Sequence, residues 1–387
     1  IRTDSAPLGG AGGDQAAAIK LGMAATIFHW ALHPWAIYAV LALGLALFSF
    51  NKGLPLTIRS IFYPILGERV WGWPGHIIDI IAILATLFGL ATSLGLGASQ
   101  AAAGLNFLFG WAEGDTTDVL LVMGITAIAL ISVLAGLEKG VQRLSQVNMS
   151  LAAILMLFVI IVGPTVAIFT GFAENLYNYI VNLPALSNPV GREDLGYSQG
   201  WTSFYWAWWI AWSPFVGMFI ARVSRGRTVR EFLISVLLIP SLACVFWMTV
   251  FGTAAIEQFV AGAEQIASEK LSLKLFIMLG GLPWTEVTSF VGIILVMVFF
   301  ITSSDSGSLV IDTISAGGKV EAPVPQRIFW CTFEGLVAIA LILGGGLVAL
   351  QAMSLSLGLP FTIVLLASCF AVVQGLRSEP RVGKPAK

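Results

Sequence analysis

Charge is scarce in this chain of 387 residues. Asp, Glu, Lys and Arg make up 11% of it, against roughly 25% in ordinary soluble domains. The net charge is −1 and the pI about 6.4, with no long basic or acidic run, which excludes nucleic acid as a partner. Cysteine is nearly absent. Cys244, Cys331 and Cys369 are odd in number and all lie in apolar segments, so no disulfide framework is expected. Histidine is also limited to three residues, His29, His33 and His76. His29 and His33 stand at i, i+4, a metal-ligand spacing, but without HExxH or a third ligand an intramembrane metal enzyme lacks its parts. A hydrogen-bonded structural role suits both better. No GxxxxGK[ST] loop occurs, and the LGLG at 94–97 and the GGG at 344–346 read as close helix packing or a helix end. The chain opens on Ile1 with no signal-peptide pattern, from which preceding helices are expected.

What is abundant is apolar. Hydrophobic residues make up 57% of the chain and its mean hydropathy is +0.90, which predicts an all-α membrane protein. Crossing the hydrocarbon takes about 20 residues of helix, and nine runs meet that length: 23–50, 77–96, 119–137, 149–172, 204–221, 232–251, 287–311, 328–347 and 357–376. Two mixed stretches, 173–183 and 257–279, read as surface helices. Alternate loops hold fifteen basic residues, among them Lys52, Arg59, Arg69, Arg327 and the cluster Arg222, Arg225, Arg227 and Arg230. The other loops hold five: Arg2, Lys20, Arg192, Lys270 and Lys274. Because Lys and Arg stay on the cytoplasmic side, the C-terminus is expected there. The predicted organisation is an external segment at 1–22, a transmembrane domain at 23–376 and a short cytoplasmic tail at 377–387.

One span is crowded with indole: WAWWIAWSPF, residues 206–215. On a helix Tyr205, Trp208, Trp209 and Trp212 fall at i, i+3, i+4 and i+7 and share a face. An interfacial aromatic belt explains Trp201 and Trp206. Trp212 sits roughly 12 Å further in, too deep for a belt. Pro214 lacks an N–H and frees the Ile210 carbonyl, which in a membrane must find protein, water or ligand. Rings with little charge nearby suit a quaternary ammonium, at roughly 0.5–2 kcal/mol per ring. From the pattern alone, packing plus a belt and a cation cage are equally good readings. A second aromatic group, Trp30, Trp35 and Tyr38, surrounds Pro34 in HWALHPWAIY (29–38).

FHWALHPWAIY, GLEKGVQRLSQVNM (136–149), FYWAWWIAWSPFVGMFIARVSRGRTVREF (204–232) and FFITSSDSGS (299–308) together closely resemble the betaine/choline/carnitine transporters. The resemblance runs from about residue 22 through almost the whole chain. It implies a leucine-transporter-type fold of two inverted repeats, with about nine of an expected twelve transmembrane helices here: the rest of the first repeat at 23–172 and the second at 200–376. The missing core helix is the glycine-rich one that helps hold substrate and sodium in the family.

By position, the resemblance makes Trp208, Trp209 and Trp212 the central substrate cage, and Trp30, Trp35 and Tyr38 the aromatics of the access path and box. It assigns one sodium site to the Phe299 carbonyl and the Thr302 and Ser303 hydroxyls, incomplete without the missing helix. Hard oxygen ligands suit Na⁺, though hydroxyls in a membrane helix often bond only the preceding turn. Sodium-independent carnitine exchange is disfavoured, because those relatives carry an arginine near Met149 and a tyrosine in place of Trp212.

Three acids lie in or near spans. Asp79 opens the second span and reads as its cap. Asp305 follows the sodium motif and reads as a gate or packing residue. Glu334, about 10 Å into its span, has no basic neighbour there and is a candidate for proton coupling, as Asp305 also is. The expected activity is cation-coupled import of glycine betaine or choline for osmoprotection. Na⁺ or H⁺ is the coupling ion and no other cofactor is expected. Proton-coupled choline or sulfonium uptake and substrate exchange are the alternatives. A passive channel fits poorly, since indole lines the path. The bacterial inner membrane is the expected location, and the family suggests a homotrimer with contact at 173–183.

Overall fold

The computed structural model describes residues 6–135, 138–320 and 323–379, and among these every regular segment is helical. The expectations for Arg2, for the end of the third span at 136–137 and for the tail beyond residue 379 lie outside the described residues. The long helices are α1 (Gln15–Trp30), α2 (Leu32–Leu45), α3 (Trp73–Phe109), α4 (Asp115–Ala135), α5 (Glu138–Val162), α6 (Thr165–Ser187), α7 (Ser203–Val223), α8 (Val229–Val260), α9 (Thr285–Ser315) and α10 (Val324–Arg377).

Local chemistry sets these limits. Asp14 starts α1 by accepting from the N–H groups of Ala16 and Ala17 at 2.9 and 3.2 Å, the usual way to satisfy free N-terminal donors. Helix therefore begins at Gln15, inside the segment expected to be external and irregular. The chain breaks at Ala31 (φ −95°, ψ −120°), and Pro34 then falls in the first turn of α2, where a missing N–H costs little. Thr228 and Glu231 form a reciprocal capping box that starts α8.

The fourth expected span, 149–172, is divided by Gly163 and Pro164 between α5 and α6. The Thr165 hydroxyl takes the Ile160 carbonyl left over at that break, at 2.6 Å. The stretch 257–279 is the last turn of α8 followed by three short turns, not one surface helix. Inside α10, Gly345 and Gly346 depart from helical geometry, Gly346 at φ 58° and ψ −137°, a conformation open only to glycine. Among the described residues seven helical segments are long and apolar enough to cross a membrane. Dividing α10 at its glycines and adding α7, whose indoles lower its hydropathy, returns the nine expected segments.

α3 is the centre of the bundle, packed on α7, α9 and α10. Small residues permit the approach. A Cβ on Gly97 would stand 1.9 Å from the Phe300 ring, and one on Gly95 2.5 Å from Leu350. At the end of the bundle rich in basic residues, Asp79 is not a cap. It is buried within α3 and accepts from the Arg59 backbone N–H at 2.9 Å and from Arg59 Nε at 2.5 Å, fastening the loop before α3. Lys52 pairs with Glu379 beyond the end of α10, and Arg225 lies 5.5 Å over the Phe50 ring.

At the opposite end one ion pair joins three segments. Arg192 contacts Asp194 through Nε and Nη2 at 2.6 and 2.5 Å and donates to the Leu186 carbonyl at the end of α6, while Asp194 accepts from the Leu8 N–H at 2.7 Å. Arg192 holds the Asp194 carboxyl below its ordinary range. A depressed folded-state pKa gives stability that is complete above the unfolded value, about 4, and is lost as pH falls through the folded one. Asp194→Asn is therefore expected to lower thermal stability at pH 7 and to flatten the loss of stability below about pH 4, as measured by thermal melts across pH.

Candidate functional site

α7 and the α1–α2 break bring the predicted aromatics together. Trp208 and Trp209 stack with ring centroids 5.2 Å apart at 8°. Trp30 stands edge-on to both, at 4.9 Å from Trp209 and 6.4 Å from Trp208. Tyr38 meets Trp209 edge-on at 6.2 Å, and Trp35 meets Tyr38 at 5.6 Å. Tyr205 completes the group, 5.8 Å from Trp30 and 6.1 Å from Trp208. These rings touch one another directly, so a trimethylammonium group can enter only if Trp30 and the Trp208–Trp209 stack separate.

Trp212 is placed differently from the expected shared cage. Its only ring contact among the described residues is with Phe215, at 5.4 Å. Its connection to Trp208 is polar instead. The indole N–H groups of Trp208 and Trp212 both donate to Ser93 Oγ on α3 at 2.9 Å, and Trp212 also reaches the Gly89 carbonyl at 3.0 Å. Trp209 donates to the His29 carbonyl at 2.8 Å, which ties α7 to the end of α1. Two indole N–H donors and a hydroxyl thus converge beside a set of π faces. The Ser93 hydroxyl itself donates back to the Gly89 carbonyl at 3.0 Å, so all three donors are satisfied within the protein and an anionic group would have to displace these bonds.

Ser93 is the residue that sequence reasoning missed. The adjacent hydroxyls in ATSLGLG were visible, but nothing local says which of them faces the indoles. In the fold Thr92 turns to the Leu350 carbonyl and Ser354 on α10, at 2.9 and 2.8 Å, while Ser93 turns to α7. About 100° of helical rotation separates neighbours, so one position decides the role.

Pro214 also has a local resolution. The Ile210 carbonyl that it frees accepts from the Ser213 hydroxyl at 2.6 Å, so α7 runs unbroken. The histidines are hydrogen-bonded: His29 Nε2 lies 3.0 Å from Thr202 Oγ1 and stacks on Tyr205 at 4.5 Å, and His33 Nε2 lies 3.2 Å from Ser187 Oγ.

The expected sodium ligands lie on α9. The Thr302 hydroxyl donates to the Val298 and Phe299 carbonyls at 3.0 and 2.9 Å, the backbone bonding usual for a hydroxyl in a helix. Ser303 is half-buried and Phe299 exposed. Asp305 is half-buried on the same helix, and Glu334 is fully buried on α10. Both acids therefore lie on the α9–α10 pair.

A many-helix membrane bundle with an aromatic and hydroxyl site between its helices defines a transporter. The chain belongs to the betaine/carnitine/choline transporter family, which it matches over residues 2–381, and it is a transport protein and not an enzyme. It is 71% identical over 387 residues to a glycine betaine/proline/choline transporter of Vibrio parahaemolyticus, covering 100% of this chain and 70% of that protein. Glycine betaine transporter 1 of the same species is 53% identical over 368 residues, 94% of this chain and 70% of its own length. A glycine betaine transporter of Acinetobacter baylyi is 42% identical over 367 residues, 94% of this chain and 56% of that protein.

Proposed function

We propose that the protein imports an onium solute, glycine betaine or choline, across the bacterial plasma membrane by cation-coupled symport. The observation that carries this reading is the pairing of two chemistries in one place. Trp30, Trp208, Trp209, Tyr205 and Tyr38 offer π faces for a trimethylammonium group. Beside them the N–H groups of Trp208 and Trp212 and the Ser93 hydroxyl, which here bond one another and the Gly89 carbonyl, are the donors that a carboxylate would take over. A zwitterion such as glycine betaine uses both. Choline uses the first and presents only a hydroxyl to the second. The relatives named for glycine betaine, proline and choline support this substrate class, since the first two combine a cationic nitrogen with a carboxylate.

In this reading the onium group parts Trp30 from the stacked indoles and is desolvated among them, where cation–π attraction is strongest. Import then follows from alternating access of a leucine-transporter-type fold around that site. Na⁺ on the Phe299 carbonyl and the Thr302 and Ser303 hydroxyls is the favoured coupling ion. Proton coupling is the second reading, and the buried Glu334 carboxyl favours it. The excess of basic residues on one set of loops supports a cytoplasmic C-terminus. Exposed Val166, Phe169, Tyr177 and Ile180 on α6 offer a contact face for a homotrimer.

The test is uptake of radiolabelled glycine betaine and choline into vesicles holding the full-length protein, with sodium and proton gradients imposed separately. Sodium-driven uptake lost in Thr302→Ala or Ser303→Ala supports the favoured reading, and the absence of uptake of either solute refutes it. Ser93→Ala is expected to separate the two chemistries. It removes the hydroxyl that the two indoles share, and bonds to charged groups contribute about 1.5–3 kcal/mol. The KM for glycine betaine should rise roughly tenfold or more, while that for choline, which has no carboxylate, changes by less than about threefold.

A further inference from the structure

The interface of α9 and α10 buries a polar cluster that the aromatic site does not use. Glu334 is 1% exposed and its Oε2 accepts from Ser308 Oγ at 3.2 Å. Ser304, also 1% exposed, stands one turn before Ser308 on the same face of α9, with its hydroxyl turned to the same carboxyl. Cys331, one turn before Glu334 on α10, lies beside both serines. The spacing is four residues on one helix and three on the other, so the pairs face each other across the interface.

A buried carboxylate needs a compensating charge. Among the described residues no lysine or arginine is within ion-pairing distance of Glu334. The ionisable groups on the elements packed against it supply none. On its own helix Cys331 and Arg327 lie within two turns of it, Cys369 and Arg377 being more than thirty residues further on, and Arg327 is held by Asp312 of α9 with Nε 3.5 Å from Oδ2. α9 also carries Asp305 and, at its far end, Glu286. α4 carries Asp115 and Asp118, the latter held by Ser99 of α3 at 2.8 Å, and α3 carries His76 and Asp79, both on Arg59. The other neighbour on α4 is Thr126, an uncharged residue whose hydroxyl is buried against Gly335 and has no partner among the described residues.

We propose that Glu334, with the Ser304 and Ser308 hydroxyls, binds a monovalent cation, sodium or a proton, that moves with the substrate. The site is separate from the hydroxyls of Thr302 and Ser303, and the proposal rests on the symport reading above. A carboxylate with two hydroxyls offers the hard oxygen ligands that Na⁺ takes. For a proton, the carboxyl itself carries the charge and Ser308 orients it. No bond other than the cation's own contacts changes.

The test uses the full-length protein with Glu334→Gln, which keeps the shape and the hydrogen bond to Ser308 but not the charge, and with Ser304→Ala/Ser308→Ala. Binding of radioactive sodium to the purified protein and the infrared band of a protonated carboxyl are read on each, independently of transport. Glu334→Gln is expected to lose one of the two signals. It is also expected to reduce uptake driven by that cation at least tenfold, with glycine betaine binding within about twofold of wild type. If the cation is sodium, the double serine variant raises its half-saturation at least fivefold. If it is a proton, the carboxyl band shifts in that variant. Loss of neither signal, with unchanged dependence on both gradients, overturns the proposal. If Glu334→Gln does not fold, the double serine variant decides alone, an unchanged sodium affinity and an unchanged carboxyl band overturning it. Wild-type protein that binds the cation at Glu334 yet imports no onium solute under either gradient would refute the transport reading and leave the cation site standing.

Discussion

Trp209→Leu will raise the KM for glycine betaine and choline alike, by up to roughly 30-fold. Trp209 is the hub of the aromatic group, stacked on Trp208 and met edge-on by Trp30 and Tyr38. Leucine fills much of the space but offers no π face, so binding loses one cation–π contact, about 0.5–2 kcal/mol, while the ring pairs with Trp208, Trp30 and Tyr38 are lost from the protein itself. It also removes the N–H donated to the His29 carbonyl, which fixes α7 against α1. Trp209→Phe, which keeps a face without the N–H, should lie between wild type and leucine. Saturation curves for both substrates check this. A purely structural role for the indole would lower the amount of folded protein without changing KM.

Asp79→Ala is the substitution expected to cost most in stability. Arg59 is largely buried, and Asp79 supplies its only carboxylate among the described residues. Deleting one partner of a buried ion pair leaves the other charge uncompensated, typically about 3–5 kcal/mol. The His76 ring nitrogen, 3.0 Å from Arg59 Nη1, cannot replace the charge of a carboxylate. Melting temperature and yield of folded protein in detergent should both drop sharply. Asp79→Asn, which can still accept from the Arg59 backbone N–H, should fall between the two. Equal stability of wild type and Asp79→Ala would show that the loop before α3 needs no such fastening.

Most of the fold was legible because membrane spans are written in composition. A long apolar run must be helical where no water can satisfy the backbone, and the nine expected runs correspond to helical segments of the structure. Errors gathered where a local backbone effect competes with that rule. Pro164 moved a boundary between α5 and α6, and Asp14 started α1 earlier than hydropathy suggested, whereas the glycines at 344–346 do mark the expected helix end inside α10. The aromatic set was legible because indole at helical spacing is rare in a span, and the fold does bring Trp30, Tyr38, Trp208 and Trp209 into contact. Asp79 looked like a cap and is an ion-pair partner, because Arg59 lies twenty residues away in the chain. Ser93 was illegible for the same reason. Its role comes from Trp208 and Trp212, more than a hundred residues further on, and only the packing of α3 on α7 shows it.

The central claim is that positive charge on the solute, and not merely its shape, is recognised among these rings. The measurement that tests it most directly is competition for glycine betaine uptake by 3,3-dimethylbutanoate, the carbon analogue with the same bulk and carboxylate but no cationic nitrogen. The predicted result is inhibition by unlabelled glycine betaine at concentrations where 3,3-dimethylbutanoate has no effect, at least a tenfold difference. Equal inhibition by the two would contradict the account, because it would make the aromatic group a hydrophobic pocket instead of a cation site.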